Sequence, residues 1–141
     1  MSEPLDVHVV TPDREVWAGD AREIVARGVD GEVGILAGHA PLLVELAIGP
    51  LTIYRDGEDQ LTAVVDGGFM HVTSGEGATR VDVMATQAQL RSEIDVEAVR
   101  ARASELEGRL AERRDTELAE ADFEGIKAEL QKQLARIELA G

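Results

Sequence analysis

The sequence has no cysteine, which excludes a disulfide framework and any thiolate metal site and is compatible with a reducing compartment. It also lacks an apolar run near the ~20 residues that a spanning helix needs, and it does not start with a basic segment followed by an apolar one. Any membrane association is therefore expected through a partner and not by direct insertion. Basic residues are scarce, 14 Lys and Arg against 28 Asp and Glu for a net charge of −14, and such a field repels phosphate backbones and anionic lipid. Nucleic acid is not an expected partner. His8, His39 and His71 lie far apart, and none stands in an HxH or HExxH spacing, so no metal centre is expected. Carboxylates are plentiful, but no Ser/His/Asp arrangement or Gly-rich phosphate motif accompanies them, and no catalytic site of the chain's own is expected.

What is present divides into two grammars. A chain of 141 residues makes one ordinary domain or a small domain with an appendage. From Leu5 onward, short apolar pieces such as Leu5-Val7-Val9, Ile24-Val25-Ala26, Leu51-Ile53 and Val81-Val83 are separated by turn residues. The breaks fall at Pro12-Asp13, Gly19-Asp20, Asp30-Gly31, Gly49-Pro50, Asp56-Gly57, Gly67-Gly68 and Gly75-Glu76-Gly77. That spacing predicts a small antiparallel β-sandwich or barrel over residues 1–86. Gly67-Gly68 marks a bulge or close strand packing.

After Ala85 glycine becomes rare, and Ala, Glu, Arg and Leu recur at helical spacing. Val96, Val99, Ala103, Leu106 and Leu110 form one apolar stripe, and Phe123, Ile126, Leu130, Leu134 and Ile137 form a second. Asp95 is placed to cap the first helix. The fold class is thus α+β, with an antiparallel two-helix hairpin over residues 87–141. Gly108 and Gly125 sit inside its helices at a cost of about 1 kcal/mol each relative to alanine, so the hairpin is expected to be marginal and mobile. Residues 1–85 carry a net charge of −10 and residues 86–141 a net of −4. No internal repeat or low-complexity tract is present.

The densest pattern is Gly31 to Leu46, GEVGILAGHAPLLVEL. Three glycines within eight residues predict a compact, sharply turned loop, Pro41 forces an extended approach, and Leu42-Leu43-Val44 then reads as a short buried strand. This segment resembles the signature of the epsilon subunit of F-type ATP synthase, a Gly-acid-x-Gly-Ile turn followed by Gly-His-Ala-Pro-Leu-Leu. Val65-Asp66-Gly67-Gly68-Phe69 resembles the family's late-strand motif, and the tail EGIKAELQKQLARIEL resembles its last helix.

The resemblance implies a non-catalytic rotor subunit of the central stalk, held peripherally on the cytoplasmic face of the energy-coupling membrane. Its sandwich would join the gamma subunit to the membrane c-ring and couple proton- or sodium-driven rotation to ATP synthesis. Its hairpin would inhibit ATP hydrolysis when extended toward the alpha and beta catalytic subunits. It further implies that Asp30, Gly31, Glu32, Val33 and His39 form the ring and gamma interface, with the two carboxylates steering the docking. By composition alone the same acidic turn would read as a solvated loop, and His39 reads equally as a structural histidine.

Some bacterial members bind ATP through Ile-Asp-x-x-Arg-Ala at the start of the first helix. Here Ile94-Asp95 is present, Ala98 occupies the arginine position, and Arg100-Ala101 comes two residues late, on a different side of the helix. ATP is therefore expected to bind weakly or not at all, and no cofactor is expected. Arg100, Arg102, Arg109, Arg113 and Arg114 are the candidates for inhibitory contacts, set against ordinary pairing of Glu105 with Arg109 or Glu97 with Arg100. The competing reading is a soluble acidic adaptor or chaperone-like module unrelated to ATP synthesis.

Overall fold

The computed structural model describes residues 3–112 and 120–140 and divides into two units, Met1–Arg91 and Ser92–Gly141. The first holds eight strands: β1 Leu5–Val10, β2 Glu15–Ala21, β3 Glu23–Gly28, β4 Gly31–Leu36, β5 Leu42–Tyr54, β6 Leu61–Gly75, β7 Ala78–Ala85 and β8 Ala88–Leu90. They hydrogen-bond in the order β2-β1-β7-β6-β5-β3-β4, with β8 added on β6. Val7 of β1 and Ile24 and Ile35 of β3 and β4 lie far apart in that order, yet they share one buried cluster with Leu51, Ile53, Met70 and Val83. One continuous sheet must therefore fold over into two layers around a common core. Each fully buried Leu, Ile or Met contributes about 1.5–3 kcal/mol relative to exposure.

The fold-over happens in β5 and β6. Along β5 the inward phase changes between Leu46 and Gly49, and the pairing with β3 shifts between Ala26 and Gly28. In β6 the corresponding place is Asp66-Gly67-Gly68, where both glycines take positive φ, 86° and 123°. Thr86, just past the end of β7, stitches this bend: its N–H donates to the Gly67 carbonyl at 3.2 Å, and its hydroxyl donates to the Asp66 carbonyl at 3.0 Å. The expected close packing at Gly67-Gly68 is present, but as a bend inside one long strand and not as a break between two.

Several expectations need correction on the same physical ground. Gly49-Pro50 also lies inside a strand, because Pro50 falls in the bend, and Gly19-Asp20 lies inside β2. There the Trp17 indole covers Gly19, whose absent Cβ would stand 2.8 Å from the ring. The segment from Gly31 is not one compact loop. It is the edge strand β4, a turn at Ala37-Gly38 with Gly38 at φ 86°, and the start of β5. Leu42-Leu43-Val44 is not a buried run either: strand alternation turns Leu43 outward, 61% exposed. β1 and β7 pair in parallel, whereas the other pairings among the described residues are antiparallel. Because β8 pairs Ala88–Leu90 with Ala63–Val65, the sheet unit extends to Arg91 and not only to residue 86.

The second unit holds α1, Val96–Glu112, and α2, Glu120–Ala140, which pack against each other. Asp95 caps α1: its Oδ1 accepts the Ala98 N–H at 3.1 Å, satisfying one of the free donors of the first turn. Val99, Ala103 and Leu106 are buried as the first stripe predicts. On α2 Ile126 is buried, but Leu134 is 45% exposed and Arg136 is buried in its stead. Two steps of four residues carry Leu134 about 80° round the helix from Ile126, and Arg136 lies about as far round the other way. The Arg136 guanidinium donates to the Lys132 carbonyl at 3.0 Å.

Candidate docking surface

With Val7, Met70, Val72, Val81 and Val83 turned inward, period-2 alternation turns their neighbours out. Across β5, β6, β7 and β1 the outward residues fall into cross-strand rows. One row is Glu45, Phe69, Met84 and Val10, and the next is Leu43, His71, Asp82 and His8. Phe69 at 47% and Met84 at 43% exposure join Leu43 in an apolar strip on this face. The sequence reading missed it. The available signal was phase: Phe69 and Met84 stand out of step with the buried Met70-Val72 and Val81-Val83 alternations.

One margin of the strip is polar. Arg80 reaches Asp82 through Nε at 3.0 Å and Nη2 at 3.1 Å. The hydrogen bond to Asp82, and then its charge, raise the Arg80 guanidinium above its ordinary value. His8 stands 2.9 Å from Asp6 and 3.7 Å from Glu15. Arg80 with Asp82 and His8 with Asp6 thus pair on this margin, and among the described residues Leu43, Phe69 and Met84 are the exposed large apolar side chains in these rows.

The Asp30-Gly31-Glu32 segment is the exposed tip of the β3–β4 hairpin, where Gly28 pairs with Gly31 and Arg27 with Glu32. Gly31 takes φ 132° in open space. The Val29 N–H donates to the Glu45 carbonyl at 3.0 Å, tying this acidic tip to β5 beside Leu43. Val33 differs from its neighbours, since it packs on the core and holds the tip more than it presents anything. His39 lies in the link before β5. Its Nδ1 stands 2.8 Å from the Ala40 carbonyl, which can only accept, so Nδ1 carries the proton. The link is anchored by the Gly38 N–H, which donates to the buried Thr79 hydroxyl at 2.8 Å, and by Ser74, whose hydroxyl reaches the His39 carbonyl at 3.4 Å. The structure thus places Asp30 and Glu32 at the start of β4 and His39 in the link beyond its other end, both next to β5.

The helical candidates separate. Asp95 is committed to its cap, Ile94 is half-buried, and Arg100 and Ala101 are exposed on α1. Arg102 is engaged: Nε and Nη2 donate to Glu129 of α2 at 2.7 and 3.0 Å, and Nη1 stands 2.9 Å from Glu105. The partners expected from spacing were Arg109 for Glu105 and Arg100 for Glu97. A bidentate fork to the other helix instead takes Arg102, because guanidinium and carboxylate match in shape. The hydrogen bond from Arg102 lowers the Glu129 carboxyl below its usual range, and burial opposes the shift. Arg109 is exposed and near enough to add to that lowering. Arg113 and Arg114 lie outside the described residues.

Among the described residues no cluster of His, Cys, Asp and Glu could hold a metal ion, and no helix is long and apolar enough to cross a membrane. Fold and site together define a sandwich-and-hairpin subunit that presents an outer sheet face, an acidic hairpin tip and a two-helix appendage. Residues 4–91 match the family model described as the ATP synthase delta/epsilon chain β-sandwich domain. The ATP synthase epsilon chain of Brevibacillus brevis is 36% identical over 136 residues, covering 96% of this chain and 97% of that one. The epsilon chain of Thermobifida fusca is 43% identical over 103 residues, covering 72% and 73%. The chain belongs to the ATP synthase epsilon chain family.

Two solved assemblies share its fold. A chain of the Euglena gracilis mitochondrial ATP synthase OSCP/F1/c-ring structure superposes with a TM-score of 0.75 at 23% identity, covering 96% of this chain and 80% of that one. A chain of the Tetrahymena thermophila central stalk/c-ring structure does so at 0.60 and 17%, covering 99% and 98%.

Proposed function

We propose that this subunit works in the rotor of the central stalk, where its sheet unit seats the gamma shaft on the membrane c-ring so that ion-driven rotation of the ring turns the shaft. The observation that carries the reading is the apolar strip Leu43, Phe69 and Met84 beside the acidic tip Asp30-Glu32. An unpartnered apolar face suits a permanent partner such as gamma, with His39 at its edge offering Nε2. An exposed pair of carboxylates suits the basic polar loops of the ring, where complementary charge fixes register and speeds encounter. The two assemblies sharing the fold include a c-ring, which supports the reading. The subunit then sits peripherally on the cytoplasmic face of the membrane, held by its partners.

The hairpin acts as a switch, permitting turnover when folded and inhibiting ATP hydrolysis when opened toward the alpha and beta subunits, with Arg100, Arg102, Arg109, Arg113 and Arg114 as its cationic contacts. ATP is not a strong ligand, because Asp95 is occupied as a cap and Arg100 is rotated away from it.

The test is size-exclusion chromatography of the chain with a catalytic head that contains gamma but no epsilon. A one-to-one complex is the expected result; separate elution at low and moderate salt would instead favour the acidic adaptor. The ATPase rate of the complex is then compared with that of a chain ending at Arg91, since a cut at residue 86 would remove β8. Loss of the hairpin is expected to raise ATP hydrolysis severalfold, and an unchanged rate would remove the inhibitory role.

The tip makes its own prediction. Asp30→Asn with Glu32→Gln should slow association with a c-ring-containing rotor by about tenfold at low salt and flatten the salt dependence, leaving dissociation nearly unchanged, as expected for steering charges. Stopped-flow association rates at two ionic strengths decide this, and an unaltered salt slope would place the ring contact elsewhere.

A further inference from the structure

We infer that Arg102 is a partner-exchange residue: in the folded hairpin its guanidinium is the latch between α1 and α2, and opening the hairpin releases the same guanidinium to a carboxylate on an acidic protein surface. The inference deepens the switch proposed above and rests on that reading for its second half. Its first half stands on geometry within the hairpin. Arg102 makes a two-pronged bond to Glu129 across the helix pair, at 2.7 and 3.0 Å. It holds Glu105 on its own helix at 2.9 Å.

The two acids play different parts. Glu105 travels with α1 and compensates Arg102 in either state, whereas Glu129 is available only while α2 lies alongside. Separating the helices therefore breaks the fork and leaves a planar donor pair suited to another carboxylate. Arg102 is singled out among the arginines expected to inhibit because it is the one, among the described residues, seen in a forked contact between the helices. Latch and inhibitory contact exclude each other, so the pair sets a threshold for opening. The pair's exposed position limits the expected effect to a modest shift of a balanced equilibrium.

The chain has no cysteine, so Ser104→Cys with Gln131→Cys places two spin labels on exposed positions of α1 and α2 in the full-length chain. Glu129→Gln and Arg102→Gln are each expected to raise the long-distance population about threefold to tenfold, in line with a charge-assisted surface pair. The swap Arg102→Glu with Glu129→Arg should restore the short distance. Distance distributions unchanged in both single variants would overturn the latch. A swap as open as the single variants would do the same, because it would trace the opening to lost helix packing.

Inhibition of ATP hydrolysis by the reconstituted complex separates the second half. Both single variants open the hairpin, but Glu129→Gln should inhibit more than the wild type, because Arg102 is freed, and Arg102→Gln should inhibit less. Shifts in the same direction would refute the exchange. If the wild-type chain fails to join the shaft at all, the stalk reading falls while the distance measurements still decide the latch.

Discussion

Gly68→Ala is expected to destabilise the sheet unit by about 3 kcal/mol or more, because two independent penalties meet at this residue. Gly68 has φ 123°, and an added Cβ would overlap the Met84 carbonyl oxygen and stand 2.8 Å from the Ala85 Cα. The obstacle is the backbone of the paired strand β7, which cannot move aside as a flexible side chain can. The strand itself cannot retreat, since Val81, Val83 and Ala85 are buried on its inner side and Thr86 fastens its end to the Asp66-Gly67 bend. For a unit of this size the loss corresponds to a fall in Tm of at least about 12 °C. The one tryptophan of the chain, Trp17, lies in β2, so its fluorescence follows melting of the sheet without interference from the helices. Gly77→Ala is the matched control. It shares a positive φ, 80°, but has open space around the missing Cβ and should cost only about 1–2 kcal/mol. Equal small shifts for both would show that β6 and β7 can separate locally, and the bend would lose its place as the rigid corner of the fold.

The same corner explains how far the sequence could be read. Alternation at Leu5-Val7-Val9 and Val81-Val83 identifies strands and their inner faces because one side of each is dry. The apolar step of three and four through Val99, Ala103 and Leu106 does the same for α1. These are local signals, and two grammars meeting near Ala85 separate sheet from helices. Where two layers share a strand, the local rule fails. Gly49-Pro50 and Gly67-Gly68 carry turn residues because β5 and β6 bend there, and the β5–β6 register continues unchanged on both sides of the bend, from Leu46↔Gly68 to Ile48↔Asp66. Strand membership of Ala88–Leu90 was equally illegible, since three half-buried residues show no period and gain their place only from β6. At the candidate surface, the Gly31–Leu46 segment drew attention through its resemblance, and the structure adds that its first half is an edge strand. The Leu43, Phe69 and Met84 strip draws one residue from each of three successive strands, so only their register assembles it. Arg102 and Glu129 are 27 residues apart, and no helical spacing rule could have joined them.

Leu43→Glu with Phe69→Glu is expected to abolish the complex with a gamma-containing head while leaving the isolated chain folded. In the free subunit Leu43 is 61% and Phe69 47% exposed, so replacing them gives up only about half of a core residue's burial, about 1 kcal/mol each, which a domain stable by about 5 kcal/mol or more withstands. The carboxylate introduced in place of Phe69 would face Glu45 across the ladder, a like-charge pair worth only a few tenths of a kcal/mol at an exposed site. In the complex the balance reverses. A carboxylate pressed into an apolar contact without a partner loses its hydration and gains nothing in return, at several kcal/mol for each charge. Two such losses at the centre of an interface weaken binding by about a thousandfold or more, because every 1.4 kcal/mol is a factor of ten. Leu43→Ala with Phe69→Ala should weaken binding less, since it removes contact without stranding a charge. The ordering of wild type, double alanine and double glutamate in co-elution, with Trp17 melting curves to show that each variant is folded, is therefore diagnostic of an apolar seat. If the double glutamate variant co-elutes as the wild type does, the shaft must sit on another face, and the strip would need a different occupant. Asp30→Asn with Glu32→Gln, by contrast, should leave co-elution with the gamma-containing head intact, because the acidic tip answers to the ring and not to the shaft.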